Sequence, residues 1–376
     1  MSEKIINSSK LKHKAVFQYL KNKILTGHFL PGDQLPTEKS LVSHFGHSRP
    51  TIARALNDLE SEGLITRKAG AGSFVSTVTQ SASIKQNVFG LIAPGLGDNE
   101  IFDPICGSIA AESEKNDNLL LWGLGTDNEI DYNERVIQAA VRFSKIQADG
   151  VFFAPFTSGL MSHKEINLRV MEILHQSRIP LVLLNSDVND FPSPSSYDVV
   201  SSDHFQAGYA VGKHLLEGHL KRLCFIKSEE TGPHIQLRIN GSRIAVAEYE
   251  NENLKLEILT GDPEDKGFIE LVLSLSTKDN KFARTGIICE SDAYAGLLIA
   301  GLKKLKVNIT DYLKLVSFDN TQYSQLIEPP LTTFSHQSRQ IGIVAYDAMM
   351  SRLKTAGLPK REMLIKGELM KRESSN

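Results

Sequence analysis

The 376-residue sequence predicts two folds in one chain: an N-terminal winged helix-turn-helix of the α+β kind, and behind it an α/β domain of two lobes built on parallel sheets. Three observations predict them. Over the first sixty or so residues apolar side chains recur at helical spacing, and a glycine-rich strand-turn-strand follows. Residues 76–87, STVTQSASIKQN, are mostly small or polar with no apolar period, which reads as a linker. Beyond it, eight short apolar runs alternate with amphipathic stretches, most of them roughly 10–20 residues long. Near-continuous apolar strands separated by helices imply parallel sheets covered on both faces. Eight such units are too many for one compact doubly wound domain, so two lobes around a cleft are expected. The expected limits are 1–75 for the head, 76–87 for the linker and 88–370 for the rear domain.

In the head, Val16, Leu20 and Ile24 mark a first helix, Leu41 and Phe45 a second, and Ile52, Leu56 and Leu59 a third. Thr37 is placed as N-cap of the second helix, with Glu38 in its first turn and Gly46 as its stop. Ser48 is placed as cap of the third, and Pro50 falls in its first turn, where the missing N–H costs nothing. Ile52, Ala55, Leu56 and Leu59 form the inward stripe. Pro50, Ala53, Arg54 and Asn57 face out, with Arg49 and Thr51 exposed at the helix start. Such a start lacks the acids that a helix dipole favours, but it suits phosphate oxygens.

Two short helices about a glycine turn, the second presenting Arg and Thr, describe a helix-turn-helix. Its second helix enters the major groove, where Arg bonds guanine bidentately and Thr suits phosphate or thymine. In LITRKAGAGSFV, Gly70 and Gly72 allow a tight hairpin, with Arg67 and Lys68 just before the tip. This is a wing. The competing reading is a surface helical hairpin with solvated charges. Turn, Arg-Thr helix and glycine-rich wing in this order favour DNA.

The charge distribution agrees. Residues 1–80 hold 11 Lys and Arg against 6 Asp and Glu, a net of +5, whereas the remainder carries −7 of the total of −2. A basic head on an acidic body places a polyanion at the head.

In the rear domain the apolar runs are VFGLIA (88–93), LLLWG (119–123), GVFFAP (150–155), PLVLLN (180–185), RLCFIK (222–227), LKLEIL (254–259), TGIICE (285–290) and LKLVSF (313–318). Polar residues cluster just past several of them: Asn185 and Asp187, Ser291 and Asp292, Asp319 and Asn320. Open α/β sheets bind ligands at that place. Asp and Asn accept hydroxyl hydrogen bonds, so a polyhydroxylated small molecule fits; helix capping is the competing role of each.

Enzyme signatures are missing: no GxSxG elbow, no HExxH, no P-loop. GLGTDN (123–128) lacks the third glycine of a dinucleotide fingerprint. His44 and His47 lack further ligands, so no metal site and no cofactor are expected. Cys106, Cys224 and Cys289 stand singly, without CxxC, and fit a reducing, cytoplasmic compartment. No apolar run approaches a membrane span, and no secretory h-region opens the chain.

Residues 27–75, GHFLPGDQLPTEKSLVSHFGHSRPTIARALNDLESEGLITRKAGAGSFV, resemble the winged-helix domain of GntR-family bacterial regulators, above all in PGDxLPTE, SRxT and GxGSFV. The resemblance implies DNA contacts from Arg49, Thr51 and the wing around Gly70–Gly72. The full expected DNA-facing set is Thr37, Ser48, Arg49, Pro50, Thr51, Arg54, Arg67, Lys68, Gly70 and Gly72. Where the family commonly has Arg directly after the position of Ile52, this chain has Ala53 and then Arg54.

Residues 88–369 are similar to the effector domain of LacI/GalR-family regulators, which has the periplasmic sugar-binding-protein fold. DHFQAGYAVGKHLLEGHLKRLCFI (203–226), RINGSRIAV (238–246), SDAYAGLLIAGLKKL (291–305) and VSFDNTQYSQLIEPPLTTF (316–334) carry the likeness. It implies that Arg238 and Asp319 grip sugar hydroxyls, that Asn185 and Ser291 are further contacts, and that Phe102 or Asp103 lines the cleft from the loop after the first strand. Asp292 and His336 complete the expected set. Two departures stand out: Ser291 occupies a position where Asn is common, and Pro263 follows Gly261–Asp262 where many members carry an aromatic platform.

The expected function is a DNA-binding transcription regulator, a repressor of carbohydrate-utilisation genes controlled by a sugar effector. The expected partners are a double-stranded operator and a second copy of the chain. A GntR-headed enzyme using pyridoxal phosphate and a sugar-binding protein with a vestigial head are the alternatives.

Overall fold

The computed structural model describes residues 2–376 apart from 26, 69, 77–85, 95–99, 125–130, 158–159, 190–192, 250–252, 278–284, 308–312 and 356, and leaves out the side chains of 2–12 and 25. The described part divides into two compact units, Met1–Gln86 and Asn87–Asn376. Most of the expected linker, and most of GLGTDN, lie outside the described residues.

The head is three helices, α1 (Ser2–Leu25), α2 (Glu38–Phe45) and α3 (Arg49–Ser61), followed by the antiparallel hairpin β1 (Ile65–Lys68) and β2 (Gly72–Val75). Thr37 caps α2, its hydroxyl accepting from the Ser40 N–H at 3.2 Å, and Gly46 closes it in the left-handed conformation at φ 63°. One apolar cluster joins the elements: Val16 and Leu20 of α1, Leu41 of α2, Ile52, Leu56 and Leu59 of α3, and Ile65 and Val75 of the hairpin.

The rear unit is two parallel-sheet lobes. The first lobe's sheet contains β3 (Val88–Ile92), β4 (Leu119–Trp122), β5 (Gly150–Phe153), β6 (Leu181–Leu184), β7 (Asp198–Ser202) and β13 (Glu362–Ile365), in the order β13-β7-β6-β5-β3-β4. The second contains β8 (Arg222–Lys227), β9 (Leu256–Thr260), β10 (Thr285–Cys289), β11 (Leu313–Phe318), β12 (Thr332–Ser335) and β14 (Glu368–Met370), in the order β14-β12-β11-β10-β8-β9, with β14 alone antiparallel. Helices α4 (Phe102–Lys115), α5 (Tyr132–Lys145) and α6 (Met161–Gln176) belong to the first lobe. Helices α7 (His204–Leu216), α8 (Pro233–Ala247), α9 (Lys266–Thr277), α10 (Asp292–Lys304) and the short α11 (Tyr323–Leu326) belong to the second.

The chain crosses between lobes three times: after β7, after β12, and between β13 and β14. Helix α12 (Ser338–Lys354) follows a strand of the second lobe yet packs on α4 in the first, where Gly342 leaves room for the Ile105 carbonyl; a Cβ there would lie 2.3 Å from that oxygen. Asp198, fully buried, takes hydrogen bonds from Arg352 at 2.6 and 2.7 Å and from Arg361 at 2.6 Å, fastening α12 and β13 to β7. Burial works to raise its carboxyl, but the two arginines win and hold it below the ordinary aspartate range.

Two corrections to the sequence expectations follow. Four strands, β7, β12, β13 and β14, fall outside the eight apolar runs. The expected end at 370 is also too early. Ser374 is buried at 1% exposure and bonds the Thr332 N–H and the Leu315 carbonyl, so the closing 3₁₀ turn at Glu373–Ser375 is part of the second lobe.

Candidate DNA-binding surface and effector cleft

In the head, the Arg49 side chain is 81% exposed at the start of α3, and Pro50 and Arg54 are exposed with it. Ser48 occupies the N-cap position without capping; its hydroxyl shares a 2.9 Å hydrogen bond with that of Thr51, one turn on. The negative charge missing from the first turn of α3 comes from α2. One Glu38 oxygen accepts from Arg49 Nε at 3.2 Å, and the other from Arg67 Nη2 at 2.5 Å. Arg67 also donates to Asn57 of α3, and its backbone N–H to Glu60 at 3.0 Å.

Arg67, expected among the DNA contacts, thus ties the wing to α2 and α3. Thr37, likewise expected there, has its hydroxyl engaged in the cap of α2. Lys68 lies 5.4 Å from the Phe74 ring centroid. Gly70 at φ 75° and Gly72 at φ 113° supply the left-handed turn of the wing tip.

In the rear unit, a cavity of about 270 Å³ opens between the lobes, walled by Ile101, Thr157 and Asn185 from the first and by Glu230, Gly232, His234, Arg238, Glu290, Ser291 and Asp319 from the second. A second cavity of about 350 Å³ shares Asn185 and His234 and is walled further by Phe205, Leu237 and Leu364.

Arg238 sits at the floor of the first, 3% exposed. It donates to the Glu290 carbonyl at 2.6 Å, to His336 Nε2 at 2.9 Å and to Asp319 Oδ1 at 3.4 Å, and its guanidinium lies 4.3 Å from the Phe318 ring centroid. With Arg238 donating to Nε2, the proton of neutral His336 sits on Nδ1, 2.6 Å from the Ser202 hydroxyl. This chain of contacts runs from Asp319 through Arg238 and His336 to Ser202, which ends β7 at the first crossover. At the same hinge the Asp203 N–H bonds the Ile365 carbonyl at 2.9 Å. Asp319 itself has φ 108°, a region glycine favours, so its backbone is strained to aim the carboxylate inward. Burial works to raise that carboxyl; the charge of Arg238 opposes it, and the carboxyl is held low.

Of the residues expected at the effector, the cavity therefore gathers Asn185, Arg238, Ser291 and Asp319. The other four are placed differently. Asp292 is fully buried beneath the site, where it accepts from Ser317, from Thr333 at 2.6 Å and from the Thr321 N–H at 2.8 Å, joining β11 and β12 behind Asp319. Burial, and the nearby Asp319 charge, raise its carboxyl to about 6. His336 stands behind Arg238 rather than on the cavity wall. Phe102 and Asp103 are in the first turn of α4, not in a loop; Phe102 packs against the lobe core, and Ile101 takes the wall position. Sequence reasoning passed over His234 and Glu290. Glu290 obeys the strand-end rule that singled out its neighbour Ser291, and His234 was signalled by the Gly-Pro start of α8.

Three histidines surround Arg238, with the His204 ring 5.3 Å from that of His234 and 5.4 Å from that of His336. Burial first, and the Arg238 charge second, push His204 and His234 down, His234 to about 3; burial also lowers His336. Groups that stay neutral in the fold but protonate when unfolded make the unfolded chain the better proton acceptor below about pH 6.5. Stability is then lost as pH falls from about 6.5, by up to about 1.4 kcal/mol per unit for each such histidine. Asp292 and Glu290, both raised by burial, bind protons first in the folded state and oppose this in part. Thermal melts from pH 7.5 to 5.0 should show the rear domain losing stability on acidification; a flat or rising profile contradicts the neutral-histidine assignment.

Comparison with known proteins agrees with this geometry. Residues 12–75 match the family model of bacterial regulatory proteins, gntR family, and residues 213–375 match that of the periplasmic binding protein-like domain. Head and cleft together define the class: a DNA-binding transcription regulator that carries its own ligand-sensing domain. Within that class the chain is similar to the arabinose metabolism transcriptional repressor of Geobacillus stearothermophilus, at 24% identity over 97% of this chain and 99% of the relative. The repressor of the same description from Halalkalibacterium halodurans is 26% identical over 90% of this chain and 88% of its own length. A LacI family transcriptional regulator from Enterococcus faecium, solved with bound ribose, shares the fold over 77% of this chain and 98% of its own at 21% identity and a TM-score of 0.58.

Proposed function

We infer that the chain is a repressor of carbohydrate-utilisation genes whose hold on operator DNA is set by a small sugar in the interlobe cleft. One observation carries the reading: the buried Arg238–Asp319 pair on the cavity floor connects through His336 to Ser202 at the hinge. A ligand that bonds this pair bonds the same network on which the lobe crossovers rest. It favours the closed arrangement by as much as it prefers that state, and no more. Couplings of about 1–3 kcal/mol change operator affinity roughly 5- to 150-fold. The names of the relatives and the ligand of the structural neighbour make L-arabinose and D-ribose the first effectors to test.

The head works as a homodimer on a pseudo-palindromic operator, each α3 entering a major groove from its Arg49 end. Arg49→Ala should cost about 1–3 kcal/mol on operator DNA and less on random DNA, measured by fluorescence anisotropy at fixed salt. Equal losses on both would reassign Arg49 to a phosphate. The cleft reading is tested by titrating the protein on operator DNA with each sugar. A response lost in Asp319→Asn, with operator affinity kept, supports it. A response that survives that change moves the effector elsewhere.

A further inference from the structure

Within this sugar-effector reading, on which the inference rests, the cleft shows what kind of sugar it takes. Three buried polar side-chain atoms around the cavity have no hydrogen-bond partner within the protein: Asn185 Oδ1 from the first lobe, and His234 Nδ1 and Glu290 Oε2 from the second. Such atoms cost free energy unless something bonds them, and each is usually explained by a ligand or water. Two of the three are oxygen acceptors only. The third, an imidazole nitrogen, accepts or donates according to tautomer.

The Glu290 carboxylate is held in place. Its other oxygen accepts from the Ser228 hydroxyl, and its backbone N–H bonds the Ile226 carbonyl at 3.0 Å. Its free oxygen therefore cannot swing away to find a donor without breaking the Ser228 bond.

The charges lining the cavity point the same way. Arg238 is the one lysine or arginine among the described lining residues, and Asp319 already answers it. Glu290 and Glu230 add two carboxylates. Lys227, beside Glu290, donates to the Ser228 carbonyl at 2.9 Å and is not on the wall. The histidines contribute no positive charge, because burial keeps His204, His234 and His336 below their ordinary range.

We propose that Glu290 is the specificity-determining residue of the cleft, accepting a hydroxyl hydrogen bond from a neutral sugar and excluding sugars that carry a phosphate or carboxylate. Asn185 and His234 take further hydroxyls of the same molecule. An anionic group, which only accepts, satisfies neither oxygen and meets the carboxyl groups of Glu290 and Glu230 on the cavity wall.

The test is calorimetric titration of the full-length protein with L-arabinose, D-ribose and D-xylose, and with ribose 5-phosphate, arabinose 5-phosphate and D-galacturonate. At least one neutral sugar should bind, and its phosphorylated or acidic counterpart at least 30-fold more weakly. In Glu290→Gln, which keeps shape and one acceptor oxygen but removes the charge, the neutral sugar should lose about 5- to 10-fold and the gap to the anionic sugars should narrow at least 10-fold. A tightest ligand that is anionic overturns the proposal, and so does an unchanged gap in Glu290→Gln. Should that variant not fold, the wild-type ranking alone decides. If no sugar of either kind binds, the sugar-effector reading itself fails, an outcome distinct from binding with the wrong charge preference.

Discussion

Gly232→Ser should leave the protein folded, keep its operator affinity, and remove its response to the effector. Gly232 is the N-cap of α8 in the second lobe, with φ −81° and ψ 171°, a conformation open to any residue. Serine is a favoured N-cap, so the local helix should be as stable or more so. The obstacle lies across the cleft. A Cβ at this position would sit 2.0 Å from the Thr157 carbonyl oxygen and 2.7 Å from the Thr157 Cβ, both in the first lobe. A carbonyl cannot rotate away as the end of a long side chain does, so the added atom keeps the lobes apart. Open protein is unaffected and closed protein is penalised.

Overpacking of this kind costs about 1–3 kcal/mol, which would weaken the ligand roughly 5- to 150-fold if binding requires closure. Thermal melting without ligand should match wild type, while the ligand-induced stabilisation shrinks or disappears. The bond from the Gln322 N–H to Glu100, 2.7 Å across the same opening, marks a second point where the lobes meet. Wild-type affinity and response in Gly232→Ser would show that this approach of the lobes is not what the effector acts on.

That glycine illustrates what the sequence could and could not reveal. The strands of the two sheet centres were legible because parallel strands covered on both faces are apolar runs, as in VFGLI and TGIIC. The strands that were missed lack this signature for a physical reason. Asp198–Ser202 begins on a salt-bridged aspartate and ends on serines at the hinge, while Glu362–Ile365 and Glu368–Met370 are edge strands in which no residue is fully buried. Arg238 was legible through resemblance, and Asn185, Ser291 and Asp319 through the strand-end rule as well. That rule separates binding from support poorly. Ser291 reaches the cavity and caps α10, bonding the Tyr294 N–H at 3.2 Å, whereas its neighbour Asp292 turns inward. Only packing reveals that difference. In the head, periodicity placed Arg49 at the exposed start of its helix and the glycine-rich turn placed Arg67 just before the wing tip, but that both share Glu38 as a partner emerges only from the packing of α2, α3 and the wing.

The largest stability effect expected of any single change is that of Arg238→Ala. The substitution removes the partner of a carboxylate that is nearly as buried, the hydrogen bonds to the Glu290 carbonyl and to His336, and the contact with the Phe318 ring. Asp319 is then an uncompensated buried charge, a state that typically costs about 3–5 kcal/mol. For a domain of this size the melting temperature should fall on the order of 10 °C, with no ligand-induced stabilisation left.

A loss of ligand response in a destabilised protein proves little alone, so the double variant Arg238→Ala/Asp319→Asn separates the two roles. Neutralising the orphaned carboxylate should recover much of the stability without restoring the response, because the guanidinium donors are still gone. Their non-additivity in melting experiments would measure the pair's coupling. Recovery of ligand binding in the double variant would show that Arg238 supports the fold and does not touch the effector. Failure to recover stability would instead assign the cost to lost packing around Phe318 and to the carbonyl of Glu290.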